Sequence, residues 1–443
     1  MGALLRTLRT IMYKLGVSGI GFISSALVAR VLTVSDRGIY NLVTTGLLLI
    51  STFLTGYGNF FNYGINRLQY DRADVVGVLA RLYTMVTVGT VIVLAISVSL
   101  IKANDLFIYI AFVVGTVPFS LLFVYCTRLV QAQNEIDWLN RLNTIQAVIF
   151  LVFAGCVFAA HRFQHSELRP EFLTYILWGW LVSNALASLV AVFVTARLSR
   201  VRLYPKKHPE IAQKMFQYGH SISMQNLLSQ LNYRGDLFSV SLLAGTAAAG
   251  LYGIAVASSE ILWQVSSSIA LIVYTKVARE ERNNSIMLTE RTFRFTFWVL
   301  VIGALLMFWG FSPLIHIVYT SRYDRSVLPF QVLLIGTMAF GTTGVFTQFF
   351  TDQLGKVKYP MYMQGASLAT NLILCFVLIP HIGILGGALA SSTAYVVALL
   401  MSITYFHYHT KRPIARLFIL SQDDLHLLKR LTPVRRSVHE GGK

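Results

Sequence analysis

The stretch from Tyr218 to Ala244, YGHSISMQNLLSQLNYRGDLFSVSLLA, decides what kind of fold this chain can adopt. It is long enough to cross a bilayer, which takes about 20 mostly apolar residues. It nevertheless carries two charged side chains, Arg234 and Asp236, together with four amides. Because a charge at the bilayer centre costs about 2.5–3.5 kcal/mol, these groups need a water-filled or protein-lined environment. The stretch therefore predicts a spanning helix that is enclosed by a larger membrane protein.

The composition extends this prediction to the whole chain. Hydrophobic residues make up 55% of the sequence and charged residues 13%, whereas soluble domains carry about a quarter charged residues. The mean hydropathy is +0.62. The net charge of +18 does not indicate nucleic-acid binding, because the basic residues lie in short blocks between apolar runs. We therefore expect an integral membrane protein without a nucleic-acid partner.

Twelve apolar segments are long enough to span a membrane, which predicts an all-α polytopic fold. Six form an N-terminal lobe over 1–196 and six form a C-terminal lobe over 218–408. A basic cytoplasmic linker, 197–217, separates the lobes, and a basic cytoplasmic tail follows over 409–443. The predicted segments are 11–32, 39–65, 78–101, 107–127, 142–160, 172–196, 218–244, 246–275, 295–318, 329–351, 361–380 and 384–408.

The distribution of Lys and Arg predicts the orientation of these segments. With the N-terminus inside, 29 of the 37 basic residues fall on the cytoplasmic side, six fall in external loops and two lie within segments. Arg37 is among the six assigned to external loops. Cytoplasmic loops of membrane proteins carry an excess of basic residues. We therefore expect both termini in the cytoplasm.

The two halves share a sequence pattern. Gly38-Ile39-Tyr40 opens the second segment and Gly250-Leu251-Tyr252 opens the eighth, at an offset of 212 residues. Segments that are six apart cross the membrane in the same direction. The pattern therefore indicates a parallel repeat of two six-helix lobes, an arrangement common among transporters.

These motifs also resemble those of a known family. Ala29-Arg30-Val31-Leu32 followed by Gly38-Ile39-Tyr40 resembles the N-terminal signature of the polysaccharide transporters of the O-antigen flippase (Wzx) type. Asp236 followed by Gly250-Leu251-Tyr252 resembles the matching signature of their second half. The family belongs to the multidrug/oligosaccharidyl-lipid/polysaccharide exporter superfamily. The resemblance covers residues 1–410 and implies two lobes in a V. It also implies alternating-access export of a polyprenyl-diphosphate-linked oligosaccharide across the bacterial cytoplasmic membrane.

Such a substrate carries an anionic diphosphate, and arginine suits phosphate because its planar guanidinium donates several hydrogen bonds at once. The candidates for diphosphate binding are Arg234 and Arg30 within segments, with Arg81 and Arg128 at cytoplasmic helix ends. Each has an alternative role. Arg234 could instead form a structural ion pair with Asp236 or Glu260, Arg30 could extend to the outer interface, and the other two could anchor topology.

Acidic and amide side chains complete the candidate site. Asp236 and Glu260 are candidates either for a proton or cation site that energises transport, or for a buried ion pair with Arg234. The candidates for contact with sugar hydroxyls are Gln225, Asn226, Gln230 and Asn232.

The amides do not all share one face of the seventh segment. On a helix, Gln225, Asn232 and Asp236 fall on one stripe, whereas Asn226, Gln230 and Arg234 fall on a nearly opposite one. Either one stripe packs against protein, or the helix bends near Gly235.

No enzyme signature is present. The sequence has no phosphate-cradling GxxxxGK[ST] loop, no HExxH and no nucleophile elbow, and the longest predicted external loop, about ten residues, is short for a ligase or polymerase. We therefore expect a transporter with no metal or other cofactor, coupled to a proton or sodium gradient if it is driven. Membrane lipid and the polymerase and glycosyltransferases of the same pathway are candidate partners. The alternatives are a cation-coupled multidrug antiporter and a membrane glycan polymerase or ligase.

Overall fold

The structure is a computed structural model that describes residues 2–100, 105–163, 171–199, 204–263, 266, 282–354, 356 and 358–419. Within these residues all regular secondary structure is helical, with twelve helices of 14 residues or more. In the first half they are α1 (Gly2–Val31), α2 (Val34–Gly58), α3 (Arg72–Leu100), α4 (Asp105–Ala132), α5 (Ile136–Phe163) and α6 (Glu171–Ser199). In the second half they are α7 (Pro209–Ala244), α8 (Thr246–Ser259), α9 (Arg282–Tyr319), α10 (Val327–Gln348), α11 (Lys358–Ile382) and α12 (Ile384–Thr410).

Ten of these helices are long and apolar enough to cross a membrane. The other two are α7, which is 36 residues long but carries the polar stretch quoted above, and α8, which is described over 14 residues. The predicted all-α polytopic membrane fold is confirmed. We call the end of the molecule at which α1 meets α2 the outer end, following the predicted orientation.

The two lobes are built alike. In the N-terminal lobe α1 packs on α5, α2 on α4, α3 on α4, α4 on α6, and α5 on α6. In the C-terminal lobe the same pairs recur six helices later, as α7 with α11, α8 with α10, α9 with α10, α10 with α12, and α11 with α12. The parallel repeat inferred from the glycine–tyrosine motifs is therefore also present in the helix packing.

The lobes meet where α2 crosses α8 at the outer end. A Cβ atom added to Gly38 would lie 1.8 Å from the carbonyl oxygen of Thr246, and one added to Gly250 would lie 2.0 Å from that of Val34. Val34 and Thr246 are themselves 212 residues apart, so the contact is symmetric under the repeat. The hydroxyls of Ser35 and Thr246 are 2.8 Å apart across the same crossing. The repeated glycine is needed because only a residue without a side chain lets two backbones approach this closely.

Helix α7 packs on both lobes. Its first turns bury Ile211 and Met215 in an apolar cluster formed mainly by α2, α3 and α4. Further along, a Cβ atom added to Gly56 of α2 would lie 2.2 Å from the Ser223 hydroxyl. The outer half of α7 packs instead on α8, α11 and α12. The helix therefore belongs to the N-terminal lobe at its inner end and to the C-terminal lobe at its outer end.

A polar contact outside the spanning region fixes the inner end of α7. The hydroxyl of Tyr70, in the chain between α2 and α3, donates to Oε1 of Glu210 at 2.9 Å. Lys214, one turn along α7, donates to the same oxygen at 3.2 Å. These two donors, with the Tyr70 hydroxyl as the larger cause, hold the pKa of Glu210 below its usual value. The contact joins the linker side of α7 to the N-terminal lobe.

Two predicted boundaries fall within helices or close to them. Helix α7 begins at Pro209, so the second half of the predicted linker 197–217 is helical; proline suits the first turn because its fixed φ is already helical. Helix α12 ends at Thr410, and a short 3-10 helix, Ile414–Leu417, follows. Residues 420–443 of the predicted tail lie outside the described residues. The four-part division of the chain stays a prediction.

The close crossing makes a testable prediction about stability. Gly38→Ala and Gly250→Ala should each destabilise the purified protein, since the added methyl group meets backbone that cannot rotate away; overpacking of this kind costs about 1–3 kcal/mol. Gly46→Ala, on the same helix with no atom within 4 Å of its added Cβ, is the matched control. It should be neutral or slightly stabilising, as expected for alanine in a helix. The measurement is the midpoint of thermal unfolding in detergent, and equal midpoints for all three variants would contradict the crossing.

Candidate functional site on helix α7

The polar groups of α7 face two directions, and the helix is continuous through Gly235. On one face Ser229 donates to Oε1 of Gln364 on α11 at 2.8 Å, and Asp236 lies in the interior of the C-terminal lobe. On the other face Ser223 lies against α2 and Arg234 contacts α8. Both stripes therefore make contacts with protein along a continuous helix, and which of them faces a transport path stays a prediction.

Arg234 pairs with Glu260. Its Nη2 donates to Oε2 of Glu260 at 2.9 Å, and the two side chains keep 25% and 18% of their surface exposed. Of the two acids predicted as partners, the structure thus selects Glu260. Arg234 makes no other hydrogen bond within the described part of the chain, and Oε1 of Glu260 has no partner there. The pair therefore neutralises both charges while leaving donors on the guanidinium for a further acceptor.

Aromatic rings surround this ion pair. Tyr233 precedes Arg234, and its ring lies 5.2 Å from that of Trp263 and 5.4 Å from that of Phe340. Phe340 lies 4.7 Å from Tyr395. The indole N–H of Trp263 donates to the carbonyl of Thr337 at 3.2 Å, which fixes the ring. The residue next to Arg234 thus belongs to an aromatic cluster that joins α7, α10 and α12.

Asp236 is hydrogen-bonded and not ion-paired. Its side chain is buried, and Oδ2 accepts hydrogen bonds from the hydroxyls of Tyr252 and Ser391, each at 2.6 Å. Oδ1 accepts from the backbone N–H of Leu237 at 2.7 Å. Asn371 donates to Ser391 at 3.3 Å, which extends the network to α11. Within the described residues no cation contacts this carboxylate, so its hydrogen bonds alone offset the cost of burial.

The predicted sugar-binding amides differ in accessibility. Gln225 is exposed, and Asn226 and Gln230 are partly exposed. Asn232 is fully buried, and neither atom of its amide has a hydrogen-bond partner among the described residues. Three of the four amides are therefore at least partly exposed in this conformation. The sugar-binding role of all four stays a prediction.

The two arginines predicted at cytoplasmic helix ends lie in the N-terminal lobe. Arg81 is exposed on α3. Arg128 on α4 is partly buried, and its Nη1 donates to Oε1 of Gln131 at 2.9 Å. Neither pairs with an acidic side chain in the described residues, and the structure does not bring either into contact with Arg234. Their role in diphosphate binding stays a prediction.

Arg30 joins the two lobes at the outer end. Its Nε donates to the carbonyl of Val318 at 2.9 Å and its Nη2 to that of Ile317 at 2.5 Å, in the last turn of α9. In return Arg322, which follows α9, donates to the carbonyls of Arg30 and Leu32 at 3.2 and 3.4 Å. Each arginine thus satisfies carbonyls at a helix C-terminus, where the helix dipole is negative. We call these contacts the outer seal; the predicted diphosphate role of Arg30 stays a prediction.

Arg37 is the residue that the sequence reasoning missed. It was assigned to an external loop, but α2 begins at Val34 and encloses it, and its side chain is only 4% exposed. Its Nη2 donates to the hydroxyl of Ser25 at 2.7 Å, and its Cζ lies 5.0 Å from the centre of the Tyr40 ring. One signal was available in the sequence. At the offset of 212, Arg37 corresponds to Ala249, so the charge is absent from the second copy of the motif.

Several solved structures share this fold. Lipid II flippase MurJ in its inward closed conformation has a TM-score of 0.76 at 13% identity, and the match covers 96% of this chain and 92% of that one. A multidrug resistance transporter of the MATE family, in its inward-facing conformation, has a TM-score of 0.69 at 11% identity, covering 92% and 98%. A MOP superfamily transporter from Pyrococcus furiosus has a TM-score of 0.59 at 11% identity, covering 94% and 96%. No protein-family model and no curated protein matches the sequence.

The chain is therefore a multi-pass membrane protein that shares its fold with lipid II flippase MurJ and with MATE-family transporters. The predicted fold is confirmed, while membership of the multidrug/oligosaccharidyl-lipid/polysaccharide exporter superfamily stays a prediction. Assignment to the polysaccharide transporters within it stays a prediction, since the similar structures include both a lipid flippase and multidrug transporters.

The Asp236 network yields a prediction about stability. Ser391→Ala and Tyr252→Phe should each destabilise the protein by about 1–3 kcal/mol, since each leaves a buried carboxylate oxygen with one donor fewer. Ser221→Ala, which removes an exposed hydroxyl that bonds only to the carbonyl of Gln217 in its own helix, is the control. Thermal unfolding of the three purified variants tests this. A Ser391→Ala midpoint equal to that of the control would show that the network adds nothing.

Proposed function

We propose that this protein is a flippase that moves a polyprenyl-diphosphate-linked oligosaccharide across the bacterial cytoplasmic membrane by alternating access. The observation that carries the proposal is Arg234. It is a partly accessible arginine on a membrane helix, held by one carboxylate oxygen and with further donors available. The fold supports this function, and the lipid flippase among the similar structures is consistent with it. The transporters and the flippase named above are also consistent with a protein that is not an enzyme.

Glu260 has two roles in this proposal. Without substrate it neutralises Arg234, because an unpaired cation in this environment would be strongly destabilising. When a diphosphate approaches, its oxygens compete with Oε2 of Glu260 for the guanidinium. Arginine binds phosphate with two parallel hydrogen bonds, an arrangement that a single carboxylate oxygen does not provide. Because Glu260 stays close and competes for the same guanidinium, binding of the diphosphate is reversible, as transport requires.

The glycan would extend along the face of α7 that carries Arg234. Asn226 and Gln230 lie on this stripe within one to three turns of Arg234 toward the inner end, and their amides both donate and accept, as sugar hydroxyls require. Gln225, on the nearly opposite stripe, is exposed at the same level. The aromatic rings of Tyr233 and Trp263 provide a flat apolar surface beside the ion pair. The polyprenyl tail would stay in the bilayer throughout.

Asp236 is the proposed site of coupling to a proton or sodium gradient. Its carboxylate is buried among hydroxyl groups that can both donate and accept. A proton on Oδ2 would require one hydroxyl to turn and accept, whereas a sodium ion would require both to present lone pairs. Either event changes how α7, α8 and α12 are held together, because Asp236, Tyr252 and Ser391 lie on these three helices.

A cation-coupled multidrug antiporter is the second candidate, favoured by the likeness to the MATE-family transporter. Binding of an organic cation needs an acidic site, and Glu260 would be available for this only if Arg234 released it. Drug susceptibility of cells with and without the protein distinguishes the two functions. Increased resistance with unchanged surface polysaccharide would favour the antiporter.

Arg234→Ala should abolish surface polysaccharide and cause lipid-linked glycan to accumulate, at normal protein level, in cells that depend on this gene. Glu260→Gln tests the reason. If Arg234 served only to neutralise Glu260, then adding Glu260→Gln to Arg234→Ala would restore export; a phosphate-binding Arg234 predicts that the double variant stays inactive. Arg325→Ala, which removes an exposed arginine at the outer end, is the control and should export normally. Normal export by Arg234→Ala would refute the proposal.

A further inference from the structure

The side chain of Arg37 is buried without the partners that a guanidinium normally has. One of its nitrogens, Nη2, bonds to Ser25, while Nε and Nη1 have no hydrogen-bond partner among the described residues. No carboxylate of those residues forms an ion pair with it. The neighbouring acid, Asp36, is engaged elsewhere, because its carboxylate accepts from the Thr33 hydroxyl at the start of α2 at 2.6 Å. The structure thus holds a buried cation with two unused donors.

Hydroxyl groups from both lobes lie near Arg37 or near its neighbour Tyr319. Ser25 on α1 accepts from Arg37, and the side chain of Tyr319, at the end of α9, lies near both Ser25 and Arg37. Ser258 on α8 lies near Tyr319 and has a buried hydroxyl with no hydrogen-bond partner among the described residues. The guanidinium and these three hydroxyls form a donor-rich cluster in which no described carboxylate is ion-paired with Arg37. A cluster of this kind suits an anion, since each hydroxyl can donate to it and the cation balances its charge.

A purely structural role does not explain this arrangement. A buried charge is expensive, and proteins normally offset it with a counter-charge and a full set of hydrogen bonds. Arg37 has one hydrogen bond and a contact with the Tyr40 ring. Buried polar groups without partners call for a specific reason, and binding of a ligand is one such reason.

The repeat allows the surroundings of Arg37 to be compared with those of Asp236. Tyr40 and Tyr252 are equivalent at the offset of 212. In the C-terminal lobe the hydroxyl of Tyr252 donates to the buried anion Asp236. In the N-terminal lobe the ring of Tyr40 lies against the buried cation Arg37. The carboxylate of Asp236 accepts hydrogen bonds at both oxygens, whereas two nitrogens of Arg37 have no acceptor among the described residues.

We infer that Arg37, with Ser25, Ser258 and Tyr319, binds a phosphate-bearing anion close to the outer end of the path. The cluster lies beside the outer seal. The ring of Tyr319 lies 6.3 Å from that of Tyr323, whose hydroxyl donates to the carbonyl of Ala29 at 3.2 Å, next to the Arg322 contacts. Separation of the lobes at the seal would expose the cluster. This inference rests on the proposed function. The anion is the diphosphate of the substrate, which passes from Arg234 to Arg37 before release.

Binding of soluble probes tests the site. Inorganic pyrophosphate should raise the midpoint of thermal unfolding of the purified protein, and its apparent Kd should be at least about tenfold weaker in Arg37→Met. The titration is repeated in an Arg234→Ala background, so that the remaining response reports Arg37. Arg325→Met, at the same end of the molecule, is the matched control. Arg322→Ala removes hydrogen bonds of the outer seal and should lower the apparent Kd, because the site becomes easier to reach.

The probe-free protein separates a ligand site from a structural residue. Arg37→Met removes one hydrogen bond and a buried charge, so its unfolding midpoint without ligand should equal or exceed that of the wild type. A lower midpoint together with an unchanged pyrophosphate response would overturn the inference. Geranyl diphosphate binding more tightly than pyrophosphate would identify a prenyl diphosphate as the ligand; equal binding would identify a free phosphate anion. A response that sodium chloride reproduces at equal ionic strength would also overturn the inference.

The two proposals can fail separately. If Arg234→Ala exports glycan normally but Arg37→Met still loses pyrophosphate binding, the anion site stands and the flippase assignment falls. If Arg234→Ala abolishes export and Arg37→Met neither binds pyrophosphate more weakly nor exports less, the flippase stands and the site at Arg37 falls.

Discussion

The close approach of α2 and α8 is the contact on which the described conformation depends. At Gly38 and Gly250 each helix presents a bare backbone to the other, and the equivalence of the two contacts under the repeat means that one local motif, used twice, joins the lobes. Such a contact depends on close van der Waals packing of backbone on backbone. In the described conformation it holds the outer ends of the two lobes together.

The buried charges follow a different rule. Arg234 pairs with Glu260 across α7 and α8, and Asp236 is held by residues of α8 and α12, so these interactions stay inside the C-terminal lobe. A charge in an apolar environment is costly to separate from its partner. Placing both partners in one lobe means that the lobes can move without breaking these pairs. Arg37 differs, because the groups around it come from both lobes.

Much of this arrangement could be predicted from the sequence, because it depends on local patterns. The apolar segments follow from length and hydropathy, and the repeat follows from glycine–tyrosine motifs that the packing of α2 on α8 explains. A helical projection puts Arg234 and Asp236 on nearly opposite faces of α7, which argues against a pair between them. The contact with Glu260, on a different helix, could not be predicted, because it depends on how α7 packs on α8. The carbonyl partners of Arg30 lie 287 and 288 residues away in sequence, and neither composition nor spacing predicts them. Arg37 was missed because the predicted segment starts at 39, five residues after the helix itself begins at Val34.

The outer seal shows why arginines suit the contacts between lobes. Arg30 and Arg322 donate to carbonyls at helix C-termini, groups that have no partner within their own helix. If the lobes part at the outer end, as the proposed alternating access requires, water there would replace these hydrogen bonds, and opening would expose polar groups to solvent and not to lipid. Deeper in the membrane an unpaired carbonyl or charge would have no water to replace its lost partner. On the proposed mechanism, the contacts that break would thus lie at the water-facing end, whereas the ion pair of Arg234 and the hydrogen bonds of Asp236 stay within one lobe.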